Sequence, residues 1–245
     1  MPSSLHSDPP PPNQASDRIS GLPFLSDDEF EEAYSSIVRD LSVVHWTPVE
    51  VCRTAAKFLV TREHTRVLDI GCGPGKFCAI GAAATSGYFT GVEQRQDLVD
   101  EAHSMLGYYG VPRTEIHHGN VMDLDFSGFD AFYLFNPFEE NMSQSLAIDF
   151  TVDLGLEHYC RYTAYVRLSL AMAPMGTRVV TYHGNDDAIP KCYECAGIGF
   201  EGSLRFWLKT RQAQDEPPED LPPTARKWLL LPDWIPGAGL GLAPA

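Results

Sequence analysis

Asp69-Ile70-Gly71-Cys72-Gly73-Pro74-Gly75 brings an acid and three glycines to the end of an apolar run that starts at Val67. Glycine tolerates positive φ and lets a backbone come within van der Waals distance of a ligand. Free N–H groups at a helix start attract anionic or polar groups. Downstream, Glu93 closes the run Tyr88-Phe89-Thr90-Gly91-Val92-Glu93. A carboxylate on that neighbouring strand tip can accept hydrogen bonds from both hydroxyls of a ribose. The chemistry indicated is nucleoside binding. A dinucleotide loop runs G-x-G-x-x-G/A, and here the last place is Lys76, too bulky for close helix–strand packing. The acid two positions before Gly71 would repel a pyrophosphate but can orient the ammonium of a zwitterionic amino acid. This combination favours S-adenosylmethionine over NAD.

A second constellation is Asn136-Pro137-Phe138, which follows Ala131-Phe132-Tyr133-Leu134-Phe135. The amide oxygen of Asn136 and the carbonyl of Pro137 can both accept from an –NH₂, aiming its lone pair and stabilising positive charge as it develops. Phe138 can stack on a planar group or face a cation. The plainer reading is a strand terminator, since proline cannot continue a ladder. His183 is a weaker candidate for a base or a pocket wall. His117 and His118 suit packing or the nucleoside side, and Tyr133 suits the core. Cys192-x-x-Cys195 is a close cysteine pair with no second CxxC or CxxH beside it. It reads as two helix thiols, and no metal site is expected.

These residues need a scaffold that brings several strand ends together. Short β-type runs fall at 66–70, 88–93, 114–118, 131–136 and 178–183. Helical patterns near 77–84, 97–109 and 143–173 separate them. Such alternation implies right-handed crossovers and a mainly parallel sheet covered on both faces. A helix is expected near 189–196. The runs 203–210 and 226–231 then read as an antiparallel hairpin at the sheet edge. The expected fold is thus α/β: a doubly wound, mainly parallel seven-stranded sheet with an antiparallel C-terminal hairpin and helices on both faces. Upstream, Ser26-Asp27-Asp28-Glu29 reads as a capping box opening a helical pattern to Val44. Thr47-Pro48-Val49-Glu50 reads as a second helix start, with Thr47 as cap and Glu50 closing the box. The expected division is a disordered tail (1–22), a helical cap (23–46) in which Tyr34 and Trp46 could cover the site, a Rossmann-like domain (47–231) and a flexible tail (232–245).

At this level the sequence resembles the class I (Rossmann-like) S-adenosylmethionine-dependent methyltransferases, over roughly residues 46–231. Asp-Ile-Gly-Cys-Gly-Pro-Gly is similar to that superfamily's first motif, Gly-Val-Glu to its second, and His118-Gly119-Asn120-Val121-Met122-Asp123 to its third. The resemblance implies that Asp69 with the loop Gly71, Cys72, Gly73 and Gly75 holds the methionine moiety, and that Glu93 holds the ribose. Asn120, with Val121 beside it, would meet the adenine, and Asp123 competes for that role because the family more often has Asp at 120. Asn136-Pro137-Phe138 resembles the Asn-Pro-Pro-Tyr/Phe motif of class I enzymes that methylate amino or amide nitrogens, with the second proline missing. A strand-four asparagine also occurs in the class I histone-lysine methyltransferases, so a protein amine stands beside a small-molecule amine as acceptor. The competing functions are a cofactor-binding regulator without turnover and an NAD-dependent oxidoreductase.

Composition narrows the partners. The chain has 245 residues with 18 Lys+Arg against 33 Asp+Glu, a net charge of −15. Residues 1–50 and 101–150 contribute −7 each. A phosphate backbone calls for clustered Lys/Arg, so nucleic acid is not the expected partner, and the acidic blocks favour a neutral or cationic acceptor. No run reaches the ~20 apolar residues of a bilayer span, and the N-terminus lacks a signal-peptide pattern. A soluble cytoplasmic protein with reduced cysteines is expected.

Overall fold

The computed structural model describes residues 19–184 and 186–213. Seven strands form one sheet: β1 (Arg66–Ile70), β2 (Tyr88–Glu93), β3 (Thr114–His118), β4 (Ala131–Phe135), β5 (Arg178–Tyr182), β6 (Tyr193–Gly199) and β7 (Leu204–Lys209). Their order is β3-β2-β1-β4-β5-β7-β6. The first five are mutually parallel, and β7 runs antiparallel to both β5 and β6. This is the α/β architecture expected from the strand–helix alternation.

The helices are α1 (Asp27–Glu31), α2 (Ser36–Asp40), α3 (Ser42–His45), α4 (Val49–Leu59), α5 (Lys76–Ala84), α6 (Gln96–Tyr109) and α7 (Leu156–Met172). Period-2 alternation in β1 divides the core. Val67 joins a cluster with residues of α4, α5 and α6 (Leu59, Ile80, Met105). Leu68 and Ile70 join the opposite cluster with Tyr165, Val166 and Leu170 of α7. Both sheet faces are therefore covered, as parallel strands require.

The N-terminal segment docks on the first of these faces. The Ser26/Glu29 capping box is present, but the helical pattern to Val44 is broken into three short helices. Ser35 restarts the chain by accepting from Val38 N. Phe30 stacks on Tyr109, whose hydroxyl donates to the Phe30 carbonyl at 2.8 Å. Burial against α6 selects this broken path over a continuous helix, because packing outweighs weak local propensity.

Several boundaries differ from expectation. Residues 193–199 form β6 rather than part of a helix over 189–196. Their Glu, Cys and Ala suit a helix, but Gly197 and Gly199 lie against the Phe206 ring across a bulged edge pairing. The antiparallel hairpin is consequently β6–β7. Cys192 and Cys195 are thiols outside any helix, one buried and one exposed. The helix expected over 143–173 begins only at Leu156. The chain before it forms 3₁₀ turns at Glu139–Asn141 and Gln144–Leu146. Thr47 does not cap α4; its hydroxyl pairs with the Tyr133 hydroxyl at 2.9 Å, and Asp27 Oδ1 accepts from Val49 N at 2.8 Å instead. The expectations for residues 1–18, 226–231 and 232–245 concern residues outside those described. Among the described residues, no helix is long and apolar enough to cross a membrane.

Candidate functional site

The C-terminal ends of β1, β2, β4 and β5 meet on one edge of the sheet, where ligands of open α/β sheets bind. After β1 the chain turns through Gly71, Gly73 and Gly75, with φ of 71°, 52° and 77°. The loop is held down because Gly71 N and Cys72 N both donate to Val92 O at 3.0 Å. Side chains are excluded at close quarters. A Cβ on Gly71 would lie 2.7 Å from Pro137 Cβ, and one on Gly73 would lie 2.7 Å from the Trp46 ring.

Glu93 sits at the tip of β2, buried and facing the cleft. Its Oε2 accepts from Gly73 N at 3.1 Å and its Oε1 from Arg95 N at 2.9 Å. Burial raises its pKa, and the Arg95 N–H and guanidinium and the Gly73 N–H oppose that rise. Asp69 lies deeper. Its Oδ2 accepts from the Cys78 thiol at 3.5 Å, and burial pushes its pKa up to about 8. It lines a small space beneath the glycine loop together with Thr47, Phe77 and Tyr133.

After β3, Asn120 spends its polar atoms locally. Its Oδ1 accepts from Met122 N at 3.0 Å, and its Nδ2 donates to the Tyr162 hydroxyl at 3.1 Å. Its neighbours Gly119 and Val121 are the ones that line the cleft. Asp123 is exposed. On β4, Asn136 turns the chain with φ 44°, and on the adjacent parallel strand His183 does the same with φ 51°. Their predecessors Phe135 and Tyr182 are register partners, so the two turning residues are neighbours. Pro137 borders the cleft, and Phe138, only 3 % exposed, packs on Tyr162 at 5.3 Å while lining the same cleft.

Two openings converge on Asn136. One is the cleft bounded by Gly71, Gly73, Glu93, Val121 and residues 137–140. The other is an open groove bordered by Asp28, Glu32, Val43, Trp46, Tyr182 and His183. Tyr34 and Trp46 sit over the glycine loop: the Tyr34 hydroxyl donates to Pro74 O at 3.0 Å, and the indole covers Gly73. His117 and His118 end β3 on the same sheet edge, His118 as the register partner of Glu93, and a His118 ring nitrogen contacts Gln94 O at 3.0 Å.

Two basic residues carry more of the site than sequence reasoning assigned them. Lys76, 3 % exposed, donates to Asp27 at 2.6 Å and Glu31 at 2.5 Å. Arg95, 4 % exposed, pairs with Glu140 and Asp149. In sequence Lys76 looked only like a misfit in a dinucleotide loop, and Arg95 carried no signal because its partners lie 45 and 54 positions away. Among the described residues, no group of three or more His, Cys, Asp or Glu could hold a metal ion.

Residues 67–148 match the sequence profile of a family described as a methyltransferase domain. The match covers 82 of the 245 residues, from β1 through β4 and the turns that follow it. No curated protein matches the chain. Among solved structures, it is similar to the [4+2]-cyclase SpnF, with 21 % identity over 54 % of this chain and 43 % of that one and a TM-score of 0.42. It thus spans less than half of that cyclase. It is also similar to an RNA methyltransferase from Salinibacter ruber in complex with S-adenosyl-L-homocysteine (17 % identity, 74 % of this chain, 94 % of that one, TM-score 0.44). A third is TrmN from Thermus thermophilus (15 % identity, 64 % and 46 %, TM-score 0.46).

Proposed function

We propose that this chain transfers a methyl group to the nitrogen of a neutral or cationic amine or amide, carried by a small molecule or a protein. The observation that carries the reading is the position of Asn136 and Pro137, where the cleft and the acidic groove meet. The cofactor of this reading is S-adenosylmethionine, which when bound would supply an electrophilic methyl on a sulfonium.

The residues present fit that cofactor. The loop from Gly71 to Gly75 presents backbone rather than side chains to the cleft, and Glu93 offers a carboxylate for a ribose diol. Val92 and Val121 give an apolar wall for a flat ring. Asp69, whose carboxyl burial holds well above the usual carboxylate range, would be drawn toward ionisation beside a cationic amino group. Cys72, Asn120 and Asp123 remain part of the proposed cofactor surround, with Gly119 and Val121 nearer the cleft than the Asn120 side chain.

Asn136 Oδ1 and the Pro137 carbonyl would accept the N–H groups of the acceptor, orienting its lone pair and stabilising the charge that develops on nitrogen. Phe138 backs this position from below. The acidic blocks of the sequence both reach the site. Asp28 and Glu32 border the groove, and Glu139 borders the cleft. Glu140 is bound to Arg95, so the attraction for a cation rests on the balance of the other three against Arg39, which borders the same groove. The groove open at Asn136 also supports turnover over a purely regulatory cofactor-binding role.

The experiment is transfer of labelled methyl from S-adenosylmethionine into a mixed pool of amine metabolites, basic peptides and RNA. Label in amine or amide nitrogen is expected. Label confined to RNA, to oxygen or to carbon would overturn the assignment.

A further inference from the structure

The segment 139–149 forms the wall of the cleft opposite the glycine loop, with Leu146 and Ile148 facing inward. It contains only single 3₁₀ turns, so its placement depends on side-chain anchors more than on a ladder. The principal anchor is Arg95, two residues beyond Glu93. Arg95 Nη1 and Nη2 donate to Glu140 Oε1 and Oε2 at 2.9 and 2.7 Å, a bidentate fork. Its Nε donates to Asp149 Oδ1 at 2.9 Å. Its own backbone N–H holds Glu93 Oε1, from which the guanidinium stands 4.0 Å. Three carboxylates thus converge on one buried cation: two from the wall and one from the β2 tip.

We propose that Arg95 is a positioning residue that couples cofactor binding to the order of the 139–149 wall. This rests on the reading of Glu93 as the ribose ligand, and not on the identity of the acceptor. Without the fork, Glu93 and Glu140 repel one another in a poorly solvated place, with the more exposed Asp149 beside them, and the wall is driven away from the β2 tip. With it, a ligand that settles against Glu93 finds the opposite wall already in place. By linkage, whatever fixes the wall tightens the ligand, and the ligand fixes the wall to the same degree. The wall begins three residues after Asn136, so the same anchor carries order from the cofactor side to the acceptor side.

The test uses the full chain and S-adenosylhomocysteine as probe, with calorimetric affinity and hydrogen exchange as readouts. In the wild type, the probe is expected to slow exchange both at residues 71–75 and at 139–149. Arg95→Lys keeps the charge and the backbone N–H but loses the fork; Glu140→Gln removes the partner's charge without changing its volume. Each is expected to weaken affinity at least about fivefold and to abolish the slowing at 139–149 while leaving it at 71–75. The double variant is expected to lose little beyond either single one. Should Arg95→Lys fail to fold, Glu140→Gln carries the test. Unchanged affinity, or wall protection that survives the loss of affinity, overturns the proposal. If Glu93→Gln weakens binding while these two variants do not, the cofactor reading stands and the coupling falls. If the wild type does not bind the probe, both fall.

Discussion

Lys76 Nζ lies 2.5 Å from Glu31 Oε1, and both side chains are buried. The pair joins the first residue of α5, which follows the glycine loop, to the helical segment that covers the loop. Asp27 adds a second acceptor at 2.6 Å, and the Ser42 hydroxyl donates to the same Glu31 oxygen. Breaking such a pair from one side leaves an uncompensated charge in a site with little water.

Lys76→Met is therefore expected to destabilise the protein by about 3–5 kcal/mol. Lys76→Met combined with Glu31→Leu should recover much of the loss, because the orphaned carboxylate is gone. Urea unfolding of the single and double variants checks this; equal losses in both would contradict it.

Gly73→Ala should destabilise by about 1–3 kcal/mol, since the residue holds φ 52° and the new methyl would lie 2.7 Å from the Trp46 ring. A companion change, Trp46→Leu, relieves the contact but not the dihedral. Thermal unfolding of Gly73→Ala in the two backgrounds separates the contributions.

Asp69 gives a pH dependence with a definite sign. Its pKa is raised from 3.8 to about 8 by burial, so the folded state holds a proton that the unfolded state releases. Stability from this group is full below about pH 4 and is lost as pH rises toward 8. Asp69→Asn should therefore gain on the wild type progressively between pH 4 and pH 8. Denaturant midpoints at pH 5 and pH 8 measure the gap, and a gap that narrows with rising pH would refute it.

Glu93→Ala and Asn136→Ala should fail in different ways. The first removes a carboxylate from the proposed ribose position and is expected to weaken S-adenosylhomocysteine binding by roughly 10-fold or more. The second is expected to lower turnover by about 100-fold with a smaller effect on cofactor affinity. Calorimetry and methyl-transfer kinetics, read side by side, tell them apart.

The alternation of short apolar runs with helical stretches was enough to place five parallel strands, because buried strands and amphipathic helices carry strong periodic patterns. The β6 edge strand escaped that reading. It lies mostly exposed, so its Glu-Cys-Ala-Gly stretch shows no period of two. The capping box at Ser26 was legible for the same local reason, whereas the Thr47 hydroxyl was claimed by Tyr133, 86 positions away.

The local order of residues by itself determined the glycine loop, the acid at the next strand tip and the Asn-Pro turn, since each depends on backbone freedom or on residue type at a fixed spacing. Only the tertiary structure decided what those residues meet. It buried Asp69 with a thiol, turned Asn120 inward onto Tyr162, set Trp46 on Gly73, and gave Lys76 and Arg95 their carboxylates. Charges far apart along a chain leave no periodic trace, and their pairing is fixed only when folding removes the water between them.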